Sequence, residues 1–137
     1  MPDSPAFIHP LQIHPADIDA LGHVNNVVYI RWVQEVAAAH WLKIATPEQQ
    51  DKLVWVVLRH EIDYHAPALP GDLIEGSTRV GNYHGARFER YVYIRQAKSG
   101  KLLAEAKTIW CLLDGSTKRP VRVTPELALD LQRANEY

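Results

Sequence analysis

Hydrophobic and polar positions along this chain follow two different periods. Between Val24 and Leu42 the spacing is helical. At about 100° per residue, Arg31, Gln34 and Glu35 fall on one arc. Ile30, Val33, Val36 and Ala37 fall roughly opposite, with Tyr29 and Trp32 flanking them. The polar positions are a minority, so the pattern predicts a helix buried over most of its surface. Asn25 or Asn26 can cap its start through a side-chain oxygen, and Pro47 lies past its end.

After Pro47 the period changes to two. The segment 53–67 opens as a Val-rich apolar run and then sets Ile62 and Tyr64 against Glu61, Asp63 and His65. Segment 72–80 sets Ile74, Gly76, Thr78 and Val80 against Glu75, Ser77 and Arg79. Segment 86–95 places Phe88, Val92 and Ile94 on one face. Segment 101–113 does the same with Leu102, Ala104, Ala106, Trp110 and Leu112. The turn signals LPGD, GNYHG, KSGK and DGST separate or follow these runs, which predicts long antiparallel strands joined by hairpins. Upstream, FIHPLQIH (7–14) reads as a short strand, and its Pro10 suits an edge. Downstream, 124–134 reads as a short helix with Thr124 as cap and Pro125 in its first turn. A flat sheet cannot cover a helix that is apolar nearly all round, so the sheet is expected to curl about it in an α+β arrangement.

Composition narrows the picture. The 137 residues are enough for one domain with its own core, so a single domain over 1–137 is expected. With 15 Lys and Arg against 16 Asp and Glu there is no basic stripe to suggest nucleic acid. The first ten residues lack the features of a signal peptide. No run approaches the roughly 18 apolar residues of a membrane span. Cys111 is the single cysteine, so no internal disulfide can form, and a cytoplasmic location is expected.

Candidate chemistry is sparse. The G-x-S-x-G, G-x-G-x-x-G and P-loop patterns are absent. HEIDYH (60–65) misses H-E-x-x-H by one position and lies on a strand, where His60 and His65 face opposite ways, so no metal site is expected. Cys111 sits among apolar residues and is expected to be inert. Of the 7 histidines, only His23 stands beside other candidate groups. It belongs to DIDALGHVNN (17–26). An ordinary structural reading of that stretch has solvated Asp17 and Asp19, Gly22 for a turn and an Asn cap. A functional reading starts from the buried helix, whose start is expected to open inside the protein with free N–H groups and a positive dipole end. A carboxylate such as Asp19 beside such a donor is a minimal hydrolytic site.

These residues resemble a known family. D-x-D-x-x-G-H-V-N-N-x-x-Y, from Asp17 to Tyr29, is similar to the hotdog-fold acyl-CoA thioesterases of the 4-hydroxybenzoyl-CoA thioesterase and YbgC-type group. Asp63, Tyr64, Pro67, Gly71 and Asp72 resemble a second family stretch. The resemblance implies a curled antiparallel sheet around one central helix and hydrolysis of an acyl-CoA thioester. It implies Asp19 as general base or nucleophile and the Asn26 N–H as the carbonyl-polarising donor. Gly22 supplies the close turn and Asp17 a supporting role. His23 matches the histidine of the plant acyl-carrier-protein thioesterases, whose pattern has Asn where this chain has Leu21, and it stands as an assisting or pocket-shaping residue. Tyr29, Trp32 and Trp55 would line the acyl pocket, and Arg87, Arg90 and Lys98 would meet the coenzyme A phosphates. Arg31 and Glu35 read as an i,i+4 pair. The family implies no cofactor and a homodimer or homotetramer, its site between subunits. The alternatives are a non-catalytic acyl-thioester binding module, an acyl-carrier-protein substrate, or a hydratase on the same fold.

Overall fold

The computed structural model describes residues 7–133. The elements are β1 (Phe7–Leu11), α1 (Asn26–Ile44), α2 (Pro47–Lys52), β2 (Leu53–Tyr64), β3 (Ile74–His84), β4 (Arg87–Gln96), β5 (Leu102–Asp114) and α3 (Pro125–Arg133). The five strands form one antiparallel sheet in the order β1-β3-β4-β5-β2, with α1 against β1, β3 and β4. This is the α+β arrangement that the two periods predict. β1, with Pro10, is an edge strand.

Three details differ from the pattern reading. First, α1 runs two residues later than expected at both ends. Val24 stays extended because it bridges Ile18 and its N–H donates to the Ala68 carbonyl at 3.0 Å. A short α2, closed by a Thr46–Gln49 capping box, fills the space before β2. Second, only one face of α1 is buried. Val28, Tyr29, Trp32, Val33, Val36, Ala37 and His40 point inward, while Val27, Ile30 and Leu42 are exposed. Third, β2 and β3 do not form a hairpin. β2 pairs with β5 at the far edge, so residues 65–73 cross the end of the sheet and pass the start of α1. The expected C-terminal helix is present from Pro125, with Thr124 Oγ1 accepting from the Leu127 N–H. Its expected last residue, 134, and most of the N-terminal stretch read for a signal peptide lie outside the described residues.

The core has two parts. Trp32, Val33 and Val36 of α1 meet Leu11, Ile74, Val92 and Ile94 in one. Leu127, Ala128 and Leu131 of α3 meet Val80, Phe88 and Leu112 in the other. α1 comes close to β3 because position 76 has no side chain. A Cβ there would collide with Val36 Cγ2 and press on Leu11 Cδ1 at 3.2 Å. The start of α1 is tied down by charge. Arg31 donates to both carboxylate oxygens of Asp17, at 3.1 and 2.8 Å, and not to Glu35, which lies 3.9 Å from His9. The expected i,i+4 pair is therefore replaced by a longer-range one, because the planar fork of Arg31 matches the buried carboxylate of Asp17.

Two outcomes follow. Gly76→Ala should lower unfolding free energy by about 1–3 kcal/mol in urea titrations, since the added methyl overpacks α1 on β3. Arg31 holds the Asp17 carboxyl below its ordinary value of 3.8. A carboxyl whose folded value is depressed stabilises the fold above the unfolded value and loses that contribution as pH falls through the folded one. Asp17→Asn should therefore cost roughly 1 kcal/mol at neutral pH, a figure reduced for the half-exposed Arg31. The gap from wild type should close as urea titrations move below pH 4.

Candidate active site

The stretch 17–26 folds into a tight loop before it becomes helix. The Asp19 N–H donates to the His23 carbonyl at 2.8 Å, and the Asn25 N–H donates to the Asp17 carbonyl at 2.8 Å. Gly22 takes a positive φ of 79°, open to a residue without a Cβ. The Asp19 carboxylate accepts through Oδ1 from the N–H groups of Leu21 at 2.9 Å and His23 at 3.3 Å. Its Oδ2 has no hydrogen bond among the described residues.

Asn25 is the helix cap, its side chain accepting from the Val27 N–H at 3.0 Å. The Val28 N–H donates to the Asn25 carbonyl. The Asn26 N–H, the first of the helix, has no acceptor within the helix, and none is found among the described residues. The crossing segment closes the other side. The Ala68 N–H donates to Tyr29 Oη at 2.9 Å, and the Tyr64 hydroxyl donates to the Asn26 carbonyl at 3.2 Å. The Tyr29 ring stands edge-on to both Trp32 and Tyr64. Burial pushes its phenol above the ordinary value of 10, so it stays protonated.

Asp19, His23, Asn26 and Tyr29 thus line one cleft of about 440 Å³, with Tyr64, His65, Ala66 and Pro67 facing them. Asp17 turns away, engaged by Arg31 and by the His14 N–H. The cleft opens at the surface rather than inside the protein, because Asn25, Asn26 and Val27 are exposed where one face of α1 is covered. The alternation over 53–67 marks a strand face and gives no sign of the Tyr64–Pro67 wall, although Tyr64 and Pro67 belong to the second family-like stretch.

The remaining expected residues lie elsewhere. Trp32 is fully buried in the core one turn below Tyr29. Trp55 packs edge-on to Trp41 and near Phe88, at the other end of the sheet. Arg87 pairs with Cys111 and lies roughly 23 Å along β4 from Ile94, on the side away from the cleft. Lys98 is exposed in the β4–β5 turn. Arg90 is no surface cation. It is 7% exposed, because it alternates inward with Phe88, Val92 and Ile94. Other histidines do have partners: His40 meets Arg90, and His60 Nδ1 lies 3.0 Å from Thr108 Oγ1. Among the described residues no group of three or more His, Cys, Asp or Glu could hold a metal. No helix among them is long and apolar enough to cross a membrane.

Comparison with known proteins places this geometry. Residues 13–131 match the thioesterase-like superfamily. A stretch of 87 residues is 28% identical to a chloroplastic acyl-[acyl-carrier-protein] hydrolase of Cuphea viscosissima, covering 63% of this chain and 21% of that protein. The match therefore spans about a fifth of the length of that curated relative. A Thermus thermophilus thioesterase, solved with coenzyme A and zinc, superposes with a TM-score of 0.82 at 21% identity, covering 100% of this chain and 98% of that one. A 1,4-dihydroxy-2-naphthoyl-CoA thioesterase from Synechocystis superposes with a TM-score of 0.78 at 20% identity, covering 92% and 95%. At these identities the superpositions establish the shared fold, the hotdog arrangement of helix and sheet.

Tyr29→Phe would leave the Ala68 N–H buried without an acceptor. It should lower unfolding free energy by about 1–3 kcal/mol in chemical denaturation and loosen the crossing segment, read as faster amide exchange at Ala68.

Proposed function

We propose that this chain, which belongs to the thioesterase-like superfamily, is a thioester hydrolase that cleaves an acyl-CoA at the cleft formed by Asp19 and the start of α1. The observation that carries this reading is the meeting, in one cleft, of a carboxylate oxygen and a helix N–H that have no hydrogen-bond partner among the described residues. In the proposed reaction the thioester carbonyl accepts from the Asn26 N–H, which stabilises the oxyanion as it forms. Asp19 takes a proton from the attacking water, or attacks the carbonyl itself and is later released by water. In the general-base route the carbon–sulfur bond breaks as the adduct collapses, and the thiolate takes up the proton held by Asp19. In the nucleophilic route that bond breaks to leave an acyl–Asp19 anhydride and a thiolate protonated by solvent, and water then hydrolyses the anhydride. His23 lines the same cleft and assists or shapes it. Tyr29 and Tyr64 form the wall against which the acyl group rests.

A carrier-protein thioester is the second reading, favoured by the sequence match to the plant acyl-carrier-protein hydrolase. As further parts of the proposal, the chain works as one domain in the cytoplasm, as a homodimer or dimer of dimers. β2 is a sheet edge carrying exposed Val56 and Leu58, which a second copy would cover. In such an assembly Arg87 of one copy is free to meet the coenzyme A phosphates bound by another, while Lys98 meets those of its own cleft.

A thiol-release assay across aromatic, short-chain and long-chain acyl-CoAs, with acyl-carrier-protein thioesters alongside, tests the reading. Wild type should release thiol without added metal or nucleotide. Asp19→Asn should lose on the order of 10²–10⁴ in kcat with unchanged thermal unfolding. Binding of acyl-CoA without thiol release, or full activity in Asp19→Asn, would contradict the proposal.

A further inference from the structure

A second polar centre lies at the other end of α1. Arg90 is buried, and its Nη1 donates to His40 Nδ1 at 2.8 Å and to Thr78 Oγ1 at 3.0 Å. The Thr78 hydroxyl is itself directed to the Tyr91 carbonyl at 2.8 Å, so its oxygen is free to accept. His40 accepts at Nδ1, which puts its proton on Nε2, and that buried nitrogen has no partner. Burial lowers His40 to about 3, so the ring is neutral. Burial also lowers Arg90, to about 10, which leaves the guanidinium charged at neutral pH. None of the ion pairs among the described residues includes Arg90. A buried cation held only by neutral acceptors is an unfavourable arrangement unless an anion completes it.

Arg90 also borders a cavity of about 580 Å³, within the range of small-molecule sites. The cavity lies between α1, β2, β4 and α3, and its walls include Ala37, Trp41, Trp55, Phe88 and Trp110. Trp110 Nε1 is buried without an acceptor. Glu89 borders the cavity too, but its carboxylate is engaged by the Asn82 N–H and the Tyr91 hydroxyl and lies 3.6 Å from Lys107. The surroundings are therefore mainly apolar and aromatic, with Gln34 and Glu89 as the other polar side chains at the border and a buried positive charge at Arg90. The cavity shares no lining residue with the cleft at Asp19. Ala37 lies about 16 Å along α1 from Asn26.

We propose that this cavity is a binding site for a small apolar carboxylic acid, its carboxylate on Arg90 and its hydrocarbon body among Trp41, Trp55 and Phe88. The guanidinium supplies a charged donor that no ion pair among the described residues balances, and the fork suits a carboxylate. The aromatic walls take up the apolar part. The site goes beyond the hydrolytic reading and stands independently of it.

Three tryptophans around the cavity make binding visible. Decanoate, added below its micellar concentration, should change tryptophan fluorescence saturably. Decan-1-ol, with the same chain and no charge, should bind at least about tenfold more weakly. Arg90→Met should weaken decanoate by a similar factor and leave decan-1-ol unchanged, while Asp19→Asn should alter neither. Absence of saturation with decanoate, equal affinity for acid and alcohol, or weakening by Asp19→Asn in place of Arg90→Met would overturn the proposal. Should Arg90→Met fail to fold, the wild-type comparison of acid with alcohol decides alone.

Discussion

Ala68 is fully buried, and both of its backbone polar groups are engaged by the entrance to α1. Its N–H donates to Tyr29 Oη and its carbonyl accepts from the Val24 N–H. Much of the site's geometry follows from this knot. It holds the crossing segment against the first turn of the helix. It keeps Val24 extended, so that the helix starts at Asn26 and not earlier. It also sets Tyr64 and Pro67 opposite Asp19. The crossing exists because β2 pairs with β5 at the far edge of the sheet, which forces the chain back across the sheet end before β3 can begin. Strand order and the position of a single helix N–H are thus linked through one buried residue.

The same helix organises two unlike polar centres. At its start, backbone donors face a surface cleft, where a carboxylate stands within a loop that leaves one of its oxygens without a hydrogen bond among the described residues. Near its other end, His40 meets a guanidinium that enters the core from β4. The first centre is short of an acceptor for the Asn26 N–H, and the second is short of an anion. Both are places where the fold departs from full internal satisfaction, which is where ligands are expected to bind. The rest of the interior is ordinary by comparison, with apolar α1 and sheet residues packed closely enough that Gly76 has no room for a methyl group.

Much of this was legible in the chain. The change of period after Pro47 separates helix from strands, and the inward set Ile74, Gly76, Thr78 and Val80 is buried as the alternation indicates. Asp19, His23, Asn26 and Tyr29 do come together, because they lie within eleven residues of one another and a loop plus one helical turn suffices to gather them. What depended on distant pairing was not legible. The pairing of β2 with β5 leaves no local mark, since the LPGD signal looks the same in a hairpin and in a crossing. Arg31 had Glu35 at the right spacing and took Asp17 instead, because loop closure brought a buried carboxylate within reach. Arg90 carries a lesson of another kind. Its place between Phe88 and Val92 already marked it as inward-facing, and its charge obscured that signal.

The proposed hydrolysis requires that the Asn26 N–H be the group that meets the thioester carbonyl. A crystal structure with a coenzyme A analogue whose thioester sulfur is replaced by methylene would show this directly, since the ketone keeps the carbonyl and resists hydrolysis. The carbonyl oxygen should lie about 3 Å from the Asn26 nitrogen, with Asp19 on the same side of the carbonyl carbon. A carbonyl oxygen held by other donors, with the Asn26 N–H facing solvent, would contradict the account.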